Sequence, residues 1–249
     1  MITLFINLVL GWIGASLVNY LADVLPTERK ITVSRCKECD EPKSWKSLLI
    51  ANPCEKCGKK PSLRHLAVII LIPILTGLLF LFPLENLDNY SAIVWLLYFS
   101  LVTVIDLEYR LILHPVSIAG AMIGLIYGIL LHGLLNTVIG GAAGFGIMLI
   151  FYFLGDLFVR ILSKSRGEDI EEVALGFGDV NLAGVIGLLL GWPGIVGGIF
   201  LAILIGGVVS GVFLILQLFR KKYTAYQALP YGPFLVLSTI ALLYISSLV

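Results

Sequence analysis

Six residues have the types and spacing to do chemistry: Cys36, Cys39, Cys54, Cys57, Asp106 and Asp179. The four cysteines are all that the chain contains, in "CKEC" and "CEKC", and they form the pattern C-x2-C-x14-C-x2-C. Two close pairs joined by a loop of that length suit four thiolates around one zinc ion. Such a site is structural, because four thiolates leave no open position for water. Two redox dithiols, or four incidental thiols, are the competing readings.

The aspartates pose a different question. Asp106 lies in "LVTVIDLEYR", one helical turn before Arg110, and Asp179 in "LGFGDVNLAG". Both stretches are otherwise apolar, and an ionised carboxylate at a bilayer centre costs about 2.5–3.5 kcal/mol. Two acids at one depth on different helices suggest an aspartyl dyad. Such a pair shares one proton, and its two titrations split. The ionised member takes a proton from water while the protonated member polarises a carbonyl. The glycines of "GFGD" allow backbone to approach closely beside the acid. The bland alternative for Asp179 is a carboxylate that caps the first turn of a helix. Asp156 has Arg160 four residues on, which reads as a local ion pair. Glu108, flanked by Arg110, reads as solvated.

The elements that must position these residues are membrane helices. The chain of 249 residues is 59% hydrophobic and 13% charged, against about 45–50% and about 25% in soluble domains. The fold class is therefore an all-α polytopic membrane protein. Apolar spans run at 2–22, 67–83, 91–109, 115–132, 137–161, 176–190, 195–218 and 231–248, each near the roughly 17–25 residues that a bilayer requires. The span 176–190 is the shortest. No cleavable signal peptide is evident in the first helix.

Charge sets the orientation. Ten cations, Arg29 to Arg64, lie between the first two spans, so that segment is expected in the cytoplasm. With eight spans, Arg110, then Arg160, Lys164 and Arg166, then Arg220, Lys221 and Lys222 return to the same side. Both termini are then outside, and Asp106 and Asp179 fall at cytoplasmic helix ends. Three regions follow: a first helix over 1–22, a zinc-stapled domain over 23–66 and a seven-helix membrane domain over 67–249. A loop that small cannot bury a sufficient core, and a metal would supply the missing folding energy. A net charge of +1 gives no indication of nucleic-acid binding.

Several blocks in order resemble the bacterial prepilin peptidases, the type IV leader peptidase family of membrane aspartyl proteases. "GASLVNYLADVLP" is similar to the family's opening block at Ser16, Asn19, Leu25 and Pro26. "SRCKEC" and "CEKCG" resemble its paired-cysteine domain. "IDLEYRLIL" and "GFGDVNLAG" resemble its two catalytic blocks, and "LPYGPFL" its block in the last span. The resemblance implies cleavage after a glycine in the basic leader of a type IV pilin or pseudopilin precursor. The catalytic residues would be Asp106 and Asp179, at the cytoplasmic face of the bacterial inner membrane. It also implies, for many members, N-methylation of the new terminus with S-adenosylmethionine. This chain departs from the family at Val24, at "RHLAVII", where a proline and a glutamate are missing after Arg64, and at Asn181. Those departures bear on methylation more than on proteolysis.

The run Glu168, Asp169, Glu171 and Glu172 could attract a basic leader, or form a solvated face. The stripes "GGAAGFG" and "GGVVSG" read as close-packing helix faces. His65, His114 and His132 read as interfacial. Other intramembrane aspartyl proteases, preflagellin or signal-peptide-peptidase-like, share the dyad. A non-enzymatic transporter or scaffold would use the acids for ions.

Overall fold

The computed structural model describes residues 2–36, 38–43, 49–50, 52–84, 86–166, 175–219 and 230–245. Among them the regular elements are all α-helical: α1 Ile2–Glu28, α2 Leu63–Leu81, α3 Asn89–Tyr109, α4 His114–Arg166, α5 Phe177–Leu190, α6 Gly194–Phe219 and α7 Gly232–Ile245. Gly133, at φ 76° and ψ 163°, breaks α4 into arms over 114–132 and 134–166. These arms are the expected spans 115–132 and 137–161.

By length and composition, α1, α2, α3, α4 and α6 can each cross a membrane. α5 is shorter than a full crossing: its 14 residues rise about 21 Å against about 30 Å of hydrocarbon. The first helix is longer than expected, running to Glu28 with Pro26 inside it. The second begins at Leu63, capped by Ser62, whose hydroxyl accepts the N–H of His65. The chain divides into two compact units, Met1–Tyr109 and Arg110–Val249.

In the first unit, α1 packs on α2 and α3. A Cβ at Gly11 would sit 2.8 Å from the Pro73 Cα, so glycine lets α1 and α2 nearly touch. Trp95, Tyr98 and Phe99 stack with ring centroids 5.2–5.6 Å apart and fill the α3 face. Asn7 is fully buried, yet its amide is used. It donates to the Thr3 carbonyl at 2.9 Å and accepts from Asn89 at 2.7 Å, while the Thr76 hydroxyl donates to its carbonyl. A buried amide without partners would cost several kcal/mol in such apolar surroundings.

In the second unit, the later arm of α4 grips α5. A Cβ at Gly140 would fall 2.4 Å from the Gly187 carbonyl oxygen, and one at Gly144 2.3 Å from that of Ala183. The first stripe is therefore a packing face, as expected, although Gly146 within it faces open space. The second stripe behaves differently: Gly206 meets Phe234 of α7, while Gly207 and Gly211 have nothing nearby.

Candidate active site and metal centre

The cysteine loop folds as two matching knuckles. In the first, Cys36 donates its N–H to the Glu41 carbonyl, and Asp40 donates to the Cys36 carbonyl. In the second, Cys54 donates to the Lys59 carbonyl and Gly58 to the Cys54 carbonyl. The residue four past each leading cysteine is left-handed, Asp40 at φ 55° and Gly58 at φ 68°. Asp40 tolerates that conformation as a short polar residue. The backbone N–H groups of Glu38 and Cys39 pull the Cys36 thiol down to about 6, and those of Cys57 and Lys56 lower that of Cys54.

The knuckles bring all four sulfurs together. Cys36 and Cys57 Sγ are 3.7 Å apart, Cys39 and Cys54 Sγ 3.5 Å, and all four lie within 4.8 Å of one another. Zinc–sulfur bonds of about 2.3 Å place the corners of a tetrahedron about 3.8 Å apart. Disulfides require about 2.05 Å, and the cysteines are free thiols. The four-cysteine cluster has the donor set and dimensions for zinc.

Beside this loop lies a cluster that the sequence analysis did not single out. Asp23, near the end of α1 and only 8% exposed, receives three partners. Lys43 from the loop lies at 2.8 Å, His65 Nε2 at 3.2 Å, and Arg64 forms a close ion pair. Arg64 Nε also meets Glu108 of α3 at 3.3 Å. These contacts gather the end of α1, the start of α2 and the end of α3. A cavity of about 810 Å³ opens there, lined by these five side chains and by Cys36 and Cys54. His65, expected to be interfacial, is instead buried in this cluster, while Asn19 donates to its carbonyl at 3.2 Å. Glu108 is exposed as expected and also ion-paired. An acid at the end of one apolar span and an Arg-His pair at the start of the next were the available signal.

Asp106 belongs to the first unit. It is 5% exposed, near the C-terminal end of α3, two residues before Glu108, which lines the cavity beside the cysteine loop. The helix stops at Tyr109, and Arg110 is left-handed at φ 54°. Asp179 belongs to the second unit. It is 8% exposed, in the first turn of α5. Its Oδ2 accepts the Gly176 N–H at 3.2 Å, so the capping role is realised from within the first turn. The "GFGD" block is built around it. The Phe177 ring packs edge-on against Phe145 and Tyr152 of α4, at 6.3 and 5.9 Å. Gly178 lies against Ile112, where a Cβ would come 2.7 Å from the Ile112 Cβ. Close backbone approach beside the acid is thus present at Gly178.

Asp156 pairs with Arg160 at 2.8 Å, as its i,i+4 spacing predicts. The acidic run Glu168, Asp169, Glu171 and Glu172 lies outside the described residues.

Comparison with known proteins gives these residues a context. Residues 90–211 match the sequence profile of the type IV leader peptidase family. A "Prepilin leader peptidase/N-methyltransferase" of Myxococcus xanthus (strain DK1622) is 26% identical over 209 residues. The alignment covers 78% of this chain, and the chain spans 58% of the length of that relative. No solved structure matches. The matched segment contains Asp106 and Asp179 together with α3, α4, α5 and most of α6, so it is in this segment that the chain is similar to the type IV leader peptidase family.

Proposed function

We propose that the protein is a prepilin peptidase, an aspartic endopeptidase of the bacterial inner membrane acting on type IV pilin or pseudopilin precursors. One observation carries this: the segment that matches the family contains both Asp106 and Asp179, each nearly buried and close to a helix end. The two acids act as a dyad. The ionised carboxylate takes a proton from water as the water oxygen attacks the scissile carbonyl carbon. The protonated carboxyl gives its proton to the carbonyl oxygen, and collapse of the tetrahedral intermediate breaks the C–N bond. The departing amine receives the proton taken from water. The cut follows a glycine, at the cytoplasmic surface, on the side where the positive-inside rule supports placing the cation-rich loop over 23–66.

The loop is a zinc-stapled domain between the first helix and the membrane domain over 67–249. Cys36, Cys39, Cys54 and Cys57 hold the metal, which stabilises the fold of the loop. The Myxococcus relative is also named an N-methyltransferase, and S-adenosylmethionine would supply the methyl group for the new amino terminus.

The test is to incubate purified protein with a pilin precursor, with and without S-adenosylmethionine, and to weigh the products. A product shortened by the leader supports the peptidase, and a further methyl increment supports the transferase. An intact precursor at every enzyme concentration contradicts the proposal.

A further inference from the structure

We propose that the Tyr231 hydroxyl is a further catalytic group, which donates a hydrogen bond to the oxygen of the scissile carbonyl as water attacks beside Asp179. The inference rests on the peptidase reading and adds to it a donor that is not a carboxyl.

Tyr231 lies in "LPYGPFL", one residue ahead of α7. Its carbonyl accepts the N–H of Phe234 at 3.0 Å and that of Leu235 at 3.3 Å, so the residue is tied to the first turn of the helix. Leu235 is 1% exposed and anchors that turn. The ring is held as well. Phe234 packs against it edge-on, with centroids 6.2 Å apart. Gly206 of α6 borders it too, because a Cβ there would come 3.6 Å from the Tyr231 Cε2. A backbone bonded at the helix start and a ring in contact with two helices leave the hydroxyl little freedom.

Three helices of the second unit create this placement: α5, α6 and α7 pack on one another. Asp179 sits in the first turn of α5, and Tyr231 stands at the start of α7. The two helix starts are close enough for the Asp179 carboxylate to act electrostatically on the Tyr231 hydroxyl. Tyr231 is half-buried, so part of it remains accessible.

The chemistry follows from that position. Attack by water moves negative charge onto the carbonyl oxygen. A fixed, neutral donor near that point stabilises the charge without having to reorganise during the reaction. A phenol loses its proton only at about pH 10 or above, so Tyr231 enters and leaves the reaction protonated. It adds no step to the proton balance of the cut. The protonated carboxyl of the dyad still supplies the proton that the carbonyl oxygen receives. The competing reading is that the ring serves only as packing, in which case the hydroxyl is dispensable.

The test uses the full chain in lipid nanodiscs. Tyr231→Phe keeps the ring and its contacts with Phe234 and Gly206 and removes only the O–H. Dedicated oxyanion donors are worth about 100–1,000-fold in kcat. For cleavage of a pilin precursor, kcat should fall at least tenfold while KM changes less than twofold and the melting temperature does not move. A precursor peptide carrying a difluoromethylene ketone at the scissile position hydrates to resemble the tetrahedral intermediate. It should bind Tyr231→Phe at least tenfold more weakly than the unsubstituted protein. 4-Aminophenylalanine in place of Tyr231 returns an N–H donor to the same ring and should recover part of the lost rate. Unchanged kcat and unchanged analogue binding in Tyr231→Phe would overturn the inference and spare the peptidase reading. An equal loss in both variants, with no recovery, would also overturn it, since the ring alone would then matter. Failure of the unsubstituted protein to cleave would overturn both.

Discussion

Replacing Gly178 by alanine adds one methyl group at the most crowded point beside Asp179. The new Cβ would lie 2.7 Å from the Ile112 Cβ, 3.2 Å from its nitrogen and 3.3 Å from its Cα. Carbon contacts are comfortable at about 3.5–4.0 Å, so the first overlap is about 1 Å. A side-chain rotation cannot relieve it, because the opposing atoms are backbone and a Cβ. Overpacking of this kind costs about 1–3 kcal/mol. Alanine's better helix propensity returns at most about 1 kcal/mol. The net cost of about 1–2 kcal/mol is a factor of roughly 5–30 in the folded-to-unfolded ratio. Function should suffer more, because the strain is relieved by moving the first turn of α5, which carries Asp179. A shift approaching 1 Å costs about 100-fold in a positioned reaction. Single-turnover cleavage should therefore fall at least tenfold while the protein still folds. Gly146→Ala is the control: its Cβ meets nothing within 4 Å, and it should be neutral or stabilise by up to about 1 kcal/mol. Equal melting temperatures and equal cleavage rates in the two variants would refute the packing role given to Gly178.

Three further outcomes are expected. Replacing Cys36 and Cys39 by serine should remove bound zinc, measured by elemental analysis, and expose the loop to protease while leaving the helical content of the bundle unchanged. Asp88 accepts the Ser91 hydroxyl, the Ser91 N–H at 3.1 Å and the Tyr90 N–H at 3.2 Å at the start of α3, so Asp88→Ala should cost about 1 kcal/mol. The Ser91 hydroxyl and backbone bonds hold the Asp88 carboxyl below its ordinary range, so this stabilisation is present above about pH 4 and is lost as pH falls through the lowered folded-state value. A urea titration of the two proteins at pH 7 and pH 3 should show their difference shrinking at pH 3. Asp156→Asn should retain most cleavage activity and lose no more than about 0.5 kcal/mol, because its pair with Arg160 is exposed.

What was legible in the sequence followed from local rules. Apolar spans gave the helices, because a bilayer requires length and hydropathy that any window reveals. Cysteine spacing gave the four-sulfur cluster, because ligands separated by two residues on a knuckle converge through short-range backbone geometry. Asp156 and Arg160 were readable as neighbours on one helix. The ion cluster was not legible, because Asp23, Lys43, Arg64 and Glu108 are distant in sequence and meet only when three helix ends assemble. His65 illustrates the same limit: an interfacial position was expected from its place at a span end, and the Asp23 carboxylate buries it instead. Gly178 and Gly211 looked alike as glycines in apolar runs. Only the neighbouring chain shows that the first is filled by Ile112 and the second faces open space. α5, Phe177–Leu190, lies where the short apolar span 176–190 was expected, because its glycine-flanked apolar run is itself a local signal.

The most direct measurement of the central claim is cleavage of a pilin precursor by purified Asp106→Asn and Asp179→Asn proteins, followed by mass spectrometry. Neutralising either acid removes the shared proton pair but eases membrane insertion, so both variants should insert and fold. Both should leave the precursor intact under conditions in which the unsubstituted protein cleaves it completely. Cleavage by Asp179→Asn at close to the unsubstituted rate would contradict the dyad and return Asp179 to the role of a helix cap, through the bond that it accepts from the Gly176 N–H.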